Sequence, residues 1–381
     1  MKKLKMMGIL GMMTVAMLAA GCGDKNTTSK ETESATAVEA TSEESIVEES
    51  SEESSEESTE SAENTETTEA VSGEEVVAES KEENTNHYPV TIVTYDYEKN
   101  PVEITFDKKP EKVVSGQQIW NEMLLYFDLD EYIVAAANTD SNVFGDLQER
   151  YDALPKIEDT WKNKEGIIMA EPDAFFGWRS HFAEDSLGDV YTWIDRGIMP
   201  VVLSCSNNAC GKPSVEYVLQ DFANIGAIFD IEDKTNAYID EANKMLDDIK
   251  TTVGALESPK TVLMLEYYEG STNVYAWGTN SLSGQMITYA GGINPIEQQG
   301  NVSLEDIIAY NPDKIILMNA GNSDTEEDRK SIYDAFAALE GLQSVPAVAN
   351  GAVTIYALDD IYGGGLRIIP AIKSIYEWIY E

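Results

Sequence analysis

Residues 214–252 read SVEYVLQDFANIGAIFDIEDKTNAYIDEANKMLDDIKTT, a run of nearly forty positions that is rich in helix formers and contains no proline. Apolar side chains such as Val218 and Phe222 recur at helical spacing. Residues 230–233 (DIED) interrupt this pattern and carry the signature of a helix N-cap. The segment therefore predicts two consecutive helices, the second of which ends before Gly254.

Short apolar runs alternate with helical patterns on both sides of this segment. Strands are expected at 112–115, 133–136, 173–177, 200–203, 261–265, 273–277, 314–318 and 353–356, and helices at 121–126, 189–196, 282–289, 304–310 and 366–380. Such alternation is typical of βαβ units around a mostly parallel sheet. We expect an α/β fold with one lobe at 89–230, a connecting helix at 231–254 and a second lobe at 255–381.

The first 21 residues have the pattern of a secretory signal peptide. Three lysines precede an apolar run at 6–17, and small residues follow it. This run is shorter than the roughly 20 apolar residues that a permanent membrane span needs. Cys22 directly follows Ala20-Gly21, which resembles the lipobox of bacterial lipoproteins and implies that Cys22 is lipidated. An ordinary signal peptide with a coincidental cysteine is the alternative. We expect an extracytoplasmic protein that is anchored to the cell membrane by lipid.

The segment 22–88 is strongly acidic. Between Gly23 and Tyr88 there are 21 acidic residues and three lysines, and the rest is mainly Ser, Thr and Ala. Such a composition cannot bury enough apolar surface to offset the entropy of ordering, so the sequence predicts a disordered tether. An acidic interaction tail is the alternative.

Charge and motifs exclude several function classes. The chain of 381 residues has a formal net charge of −43, which argues against a nucleic-acid partner, because phosphates require clustered Lys and Arg. The sequence carries no Walker A loop, no Gly-x-Ser-x-Gly elbow and no His-Glu-x-x-His motif. We therefore predict that the protein is not an enzyme.

Cys205 and Cys210 are the remaining two of three cysteines. A compartment outside the cytoplasm permits a disulfide between them. Two free thiols, or a ligand contact from Cys205, are the alternatives. This pair alone would be an incomplete metal site.

An ordered series of short phrases resembles one family across essentially all of 89–381. The phrases are KPEKVV (109–114), NEML (121–124), IVA (133–135), EPDAF (171–175), VSLED (302–306), YNPDKII (310–316) and VPAVANG (345–351). Together they resemble the siderophore, haem and cobalamin class of ABC-transporter substrate-binding proteins. The resemblance implies two Rossmann-like lobes joined by a single long helix, the class III periplasmic-binding-protein type. It also implies an ABC importer permease as partner, a small metal chelate as ligand, no cofactor and a monomer.

In open α/β sheets, ligands lie outside the carboxyl ends of the strands, and two facing lobes form a cleft there. Aromatic side chains after the expected strands can stack on a bulky ligand, and arginines can contact its oxygens. The candidates are Gln117, Trp120, Trp178, Arg179, His181, Tyr267, Tyr268, Trp277, Tyr362 and Arg367. With five arginines after residue 88, a neutral hydroxamate-type complex or a corrinoid is favoured over a tri-anionic catecholate.

His181 and His87 are the two histidines of the chain, so a multi-histidine site for a bare transition metal is not expected. His181 is either a structural or solvated residue or an axial ligand of haem iron. For docking to the permease, the family uses an acidic residue on each lobe, and the motif positions give Glu184 and Glu305. A surface-display lipoprotein without transport is the rival function. A single connecting helix also predicts only modest movement between the lobes.

Overall fold

The computed structural model describes residues 87–139, 141–255, 258–271, 273–319 and 325–381. The signal peptide, Cys22 and all but the last two residues of the acidic tether lie outside the described residues. Among the helices of the described part, none is both long and apolar enough to cross a membrane.

An antiparallel hairpin, which the sequence analysis did not predict, opens the described chain. Strands β1 (Val90–Tyr95) and β2 (Pro101–Phe106) pair with Val90 opposite Phe106. Alternate side chains of β2 are buried, as expected for a strand with one face on the core. The hairpin packs against the last strand of the first lobe, where the Val202 amide donates to Thr94 Oγ1 at 2.9 Å.

The first lobe is built on a fully parallel sheet. Its strands are β3 (Val113–Ser115), β4 (Ile133–Ala137), β5 (Lys156–Ile157), β6 (Ala174–Gly177) and β7 (Met199–Val202), in the spatial order β5-β4-β3-β6-β7. Its helices are α1 (Gln118–Tyr126), α2 (Gln148–Ala153), α3 (Lys164–Met169) and α4 (Val190–Ile194). The strand order reverses between β3 and β6, which is the arrangement of a doubly wound fold.

Two helices follow, as the sequence predicted. Helix α5 (Val215–Phe229) buries Phe222 and ends at Asp230, whose φ of 55° is left-handed. Helix α6 (Glu232–Val253) begins two residues later and stops at Gly254. Helix α6 packs against α5 on one side and against two helices of the second lobe on the other, so it connects the lobes.

The second lobe repeats the strand order of the first. Its strands are β8 (Val262–Glu266), β9 (Val274–Ala276), β10 (Gly300–Val302), β11 (Lys314–Asn319) and β12 (Val353–Ala357), in the order β10-β9-β8-β11-β12. Strands β8, β11 and β12 are parallel, whereas β9 and β10 are antiparallel to their neighbours. Its helices are α7 (Leu282–Tyr289), α8 (Leu304–Tyr310), α9 (Glu326–Ala337), α10 (Pro346–Ala349) and α11 (Ile368–Tyr380).

The apolar interior runs from one lobe into the other. Met264, Ile316 and Met318 of the second sheet belong to the same buried cluster as the interior of the first lobe. Their strand neighbours Leu263 and Leu317 point to the other face and form a separate cluster with α8 and α9. This division follows from the two-residue period of a strand. The side of the second sheet that faces the first lobe is therefore part of a continuous core.

Candidate functional site

A cavity of about 400 Å³ lies where the carboxyl ends of the first sheet meet the second lobe. All strands of the first sheet contribute a following residue to it, and β12 of the second sheet contributes the segment from Leu358 to Tyr362. Residues that line it include Gln117, Asn138, Asp159, Thr160, Trp161, Trp178, Asn207, Asp359 and Tyr362. The position is that expected at the switch point of a doubly wound sheet, and the volume is typical of a small-molecule site.

Three aromatic rings form the walls of this cavity: Trp161 and Trp178 from the first lobe and Tyr362 from the second. The Tyr362 ring lies 5.8 Å from that of Trp178 and 5.4 Å from that of Trp277, which stands behind it. The Tyr362 hydroxyl donates a hydrogen bond to Asn207 Oδ1 at 3.0 Å across the lobes. Burial raises the pKa of Tyr362, so its hydroxyl stays protonated. Such a wall can stack on a flat or bulky ligand.

His181 supports two of these rings from behind. Its imidazole stacks on Trp161 at a centroid distance of 3.8 Å, and its Nδ1 accepts from the Trp178 amide at 2.7 Å. The ring is completely buried, and desolvation lowers its pKa to about 3. His181 is therefore neutral, with its proton on Nε2, and it lies outside the lining of the cavity.

The polar part of the lining is acidic. Asp159 and Asp359 are the charged side chains among the described lining residues, and neither Lys nor Arg is present in that lining. The Asp159 carboxylate accepts from the Trp161 and Lys162 amides, both at 3.1 Å, and so fixes the turn that presents Trp161. Thr160 Oγ1 donates to the Gly116 carbonyl at 2.9 Å, which ties this turn to the end of β3. The cavity therefore suits a neutral or cationic ligand better than a polyanion.

Arg367 joins the two lobes beside the cavity rather than lining it. Its guanidinium donates to both carboxylate oxygens of Glu122 in α1, at 3.0 and 2.6 Å, and to Asp360 at 2.9 Å. Glu122 is only 1% exposed. Burial alone would lower the pKa of Arg367, but the hydrogen bonds and charges of Glu122 and Asp360 raise it overall. The pair is a bidentate, buried ion pair between the lobes.

Gly363 and Gly365 let the second lobe approach the first closely. Their φ angles are +85° and +78°, and a Cβ atom at Gly363 would lie 2.5 Å from the Trp178 ring. A Cβ atom at Gly365 would lie 2.4 Å from Ile119 in α1. Only glycine meets both the conformation and the distance.

Of the ten ligand-site candidates from the sequence, Gln117, Trp178 and Tyr362 line the cavity. Trp277, His181 and Arg367 lie directly behind or beside it, as described above. The other four lie elsewhere. Trp120 is fully buried and donates from Nε1 to the Gly177 carbonyl at 3.0 Å, and Tyr267 packs in the core against Phe336.

Tyr268 and Arg179 are the remaining two. Tyr268 is exposed and donates to Glu266 at 2.7 Å. Arg179 donates to the Tyr97 carbonyl in the hairpin turn, and its guanidinium lies 4.8 Å from the Tyr97 ring. Arg179 was expected to contact the ligand, but it binds the hairpin, which was not predicted from the sequence.

Four lining residues were not predicted from the sequence, namely Trp161, Asp159, Thr160 and Asn207. The first three follow β5, which has only two residues and gives no strand pattern. A tryptophan between polar residues in a loop was the one available signal. Asn207 follows β7 in a left-handed conformation with φ of 44°, a conformation that asparagine tolerates well.

The remaining expected residues lie on other surfaces. Glu184 and Glu305 are both exposed, and Glu305 lies in the first turn of α8, whose start is closed by reciprocal hydrogen bonds between Ser303 and Asp306. Cys205 and Cys210 are free thiols, so the disulfide considered from their spacing is not formed in the structure. A hydrogen bond with Cys210, together with burial, raises the pKa of the Cys205 thiol.

Comparisons with known proteins agree with this geometry. Residues 122–360 match the model of a family described as periplasmic binding protein. A periplasmic binding protein from Veillonella parvula aligns with a TM-score of 0.68 at 24% identity, covering 77% of this chain and 92% of that one.

Two further solved structures show the same fold. An Fe³⁺-hydroxamate transport protein from Saccharomonospora viridis aligns with a TM-score of 0.61 at 19% identity, covering 77% of this chain and 100% of that one. A periplasmic haem-binding protein from Vibrio cholerae aligns with a TM-score of 0.58 at 20% identity, covering 71% and 99%. No curated protein matches the sequence.

Proposed function

Because the chain belongs to the periplasmic binding protein family, a family of extracytoplasmic binding proteins, we propose that it captures an iron-siderophore or related metal chelate and delivers it to an ABC importer. The observation that carries the proposal is the aromatic cavity between the lobes, with Trp161 and Trp178 on one side and Tyr362 on the other. Binding is non-covalent, and the protein is not an enzyme. In support, the family model that the chain matches and the Veillonella parvula structure that it resembles are those of binding proteins.

The charge of the cavity favours a neutral or cationic chelate, such as a ferric hydroxamate. Asp159 and Asp359 would repel a tri-anionic catecholate complex, and the described lining holds no Lys or Arg to offset that repulsion. Haem is less well supported, because His181 is completely buried outside the described lining of the cavity and the Tyr362 hydroxyl is engaged by Asn207. A corrinoid is the other alternative within the same family resemblance.

Two parts of the proposal rest on the sequence. Lipidation at Cys22 anchors the protein to the outer face of the cell membrane, with the acidic segment as tether. Glu184 and Glu305 pair with arginines of the permease, one from each lobe. Their exposure leaves both carboxylates accessible to a partner.

Tryptophan fluorescence of the purified protein, titrated with ferric hydroxamates, ferric catecholates, haem and cobalamin, tests the ligand. We expect saturable quenching by ferric hydroxamates. Trp161→Ala should weaken binding at least about fivefold, since removing a stacking ring loses on the order of 1–3 kcal/mol. Trp378→Ala, in the carboxyl-terminal helix away from the cavity, is the matched control and should bind normally. A preference for the catecholate, or equal effects of the two variants, would contradict the proposal.

Uptake of the radiolabelled chelate into cells tests delivery. Glu305→Ala and Glu184→Ala should lower uptake while the chelate affinity of the purified proteins stays unchanged. Normal uptake in the double variant would remove the docking role. Chelate binding without any uptake by the wild-type protein would favour the surface-display alternative.

A further inference from the structure

The start of the described chain lies against the junction between α5 and α6. The Tyr88 hydroxyl donates to the Ile228 carbonyl at 2.7 Å, and His87 Nε2 bonds to the Ala227 carbonyl, also at 2.7 Å. These carbonyls belong to the last turn of α5, where backbone acceptors have no partner within the helix. The two side chains therefore hold residues 87–88 in a fixed position on the helix end.

The hydrogen bond to the Ala227 carbonyl determines which ring nitrogen of His87 is available to bind a metal ion. A carbonyl can only accept, so Nε2 carries a proton and Nδ1 faces away from the helix. Nδ1 lies 3.3 Å from Asp230 Oδ1 and 3.6 Å from Glu232 Oε1. In metal-binding histidines, the ring nitrogen that does not bind the metal commonly donates to a backbone carbonyl, as Nε2 does here.

The spacing of the three donor atoms fits a small divalent cation. All of them lie within 4.8 Å of one another. A tetrahedral ion with bonds of 2.0–2.2 Å to nitrogen and oxygen has ligands about 3.3–3.6 Å apart. The two distances from Nδ1 already have this length, and a small rotation of the exposed carboxylates would adjust the third.

Within the described part of the chain, neither Asp230 nor Glu232 forms a salt bridge with a lysine or an arginine. Lys234, the nearest lysine in sequence, pairs with Asp128 instead. The side chains of Asp230 and Glu232 are 32% and 42% exposed, so an ion can enter from solvent, whereas that of His87 is only 12% exposed. A water molecule can occupy the fourth coordination position.

We propose that His87, Asp230 and Glu232 form a binding site for a divalent transition metal ion, with Zn²⁺ as the best match. This site was not predicted from the sequence, because the histidine is far from the carboxylates along the chain. The ion would fasten the beginning of the described chain to the junction that precedes the connecting helix. The site is separate from the cavity and does not depend on the proposed function.

Titration of the metal-free, full-length protein with Co²⁺, a coloured substitute for Zn²⁺, tests the site. We expect one equivalent to bind with the visible absorption bands of a tetrahedral complex, and Zn²⁺ to abolish those bands. His87→Ala and Asp230→Asn should each weaken binding more than tenfold. Asp233→Asn removes the same charge from the adjacent position in α6 and should leave affinity within about twofold.

A second measurement guards against a variant that fails to fold. Zn²⁺ should raise the thermal midpoint of the wild-type protein and of Asp233→Asn but not that of His87→Ala, with circular dichroism showing that all three fold. Absence of saturable binding would mean that the cluster is only a hydrogen-bonded ion pair. Equal weakening by Asp233→Asn would mean diffuse binding to the acidic surface. Either result overturns the proposal.

Discussion

Two buried ionisable side chains of the first lobe, His181 and Asp221, make the stability of the protein depend on pH. In both, desolvation favours the neutral form, which lowers the pKa of the histidine and raises that of the aspartate. Burial lowers the pKa of His181 to about 3, so the unfolded chain binds more protons than the native protein up to about pH 6.5. Stability from this group is therefore present above pH 6.5 and is lost as the pH falls. Burial raises the pKa of Asp221 to about 7, against the hydrogen bonds from Ser204 that lower it.

For Asp221 the native state binds the extra proton. Its contribution to stability is therefore complete below about pH 4 and is lost as the pH rises to about 7. Between about pH 4 and pH 6.5, His181 makes the free energy of unfolding rise with pH, whereas Asp221 makes it fall. In the wild-type protein the two effects therefore partly cancel.

Asp221→Asn should reveal the two slopes. Asparagine can still accept from the Ser204 amide and hydroxyl, now at 3.1–3.3 and 2.6 Å from the carboxylate, but it cannot ionise. Between pH 4 and pH 8 the variant should gain stability over the wild type by up to about 4 kcal/mol, since each unit of pKa shift corresponds to about 1.4 kcal/mol. Urea unfolding at a series of pH values measures this. Parallel curves for the two proteins would contradict it, and the exposed Asp185→Asn is the control.

The loop between β12 and α11 depends on its glycines for two separable reasons, conformation and contact. Gly365→Ala introduces a Cβ at positive φ and 2.4 Å from Ile119. For comparison, Gly351→Ala, in the turn that precedes β12, introduces one at φ of +66° with open space around it. Strain of a non-glycine residue at such angles costs about 1–2 kcal/mol. We expect Gly351→Ala to lose about that much in unfolding free energy and Gly365→Ala to lose clearly more and to bind the chelate more weakly.

Chemical denaturation and fluorescence titration of the two alanine variants measure these effects. Similar stability and similar chelate affinity in both would show that contact between the loop and α1 is unimportant.

Elements with a strong internal pattern could be predicted from the sequence. Helices α7 (Leu282–Tyr289) and α8 (Leu304–Tyr310) have the expected bounds, because a serine precedes each and accepts from an amide of the first turn. The break between α5 and α6 falls where the cap signature placed it. The hairpin β1–β2 was missed because its strands hold few consecutive apolar residues, and β5 because two residues carry no pattern.

The site could be predicted only in part, for a related reason. Trp178 and Tyr362 follow recognisable strands or loops, so their position at the cavity follows from topology. Trp120 has the same sequence context, but its first-turn position in α1 points it into the core. Which way a side chain faces depends on helix phase and on partners such as Tyr97, and these are set by tertiary contacts.

At the scale of the whole molecule, two separate groups of side chains join the lobes. Near the cavity, Arg367 binds Glu122 and Tyr362 binds Asn207. Away from the cavity lining, Gln285 donates to the Pro213 carbonyl and the Tyr289 hydroxyl lies 2.8–2.9 Å from both oxygens of Glu216. With a continuous core and a single helix between them, the lobes have few ways to separate without breaking buried contacts.

The lobes should therefore move little when the ligand binds. Small-angle scattering should give the same radius of gyration for the wild-type protein with and without a saturating chelate, because the contacts that join the lobes are present before the ligand arrives. Arg367→Met should enlarge the radius of the ligand-free protein, since Glu122, which is 1% exposed, is then a buried charge without its partner. Leaving such a charge unpaired costs about 3–5 kcal/mol, and opening the lobes hydrates it. The double variant Glu122→Gln/Arg367→Met removes the charge as well and should return to the wild-type radius. A large contraction of the wild-type protein on binding would show instead that the lobes are open in solution and that the ion pair forms only around the ligand.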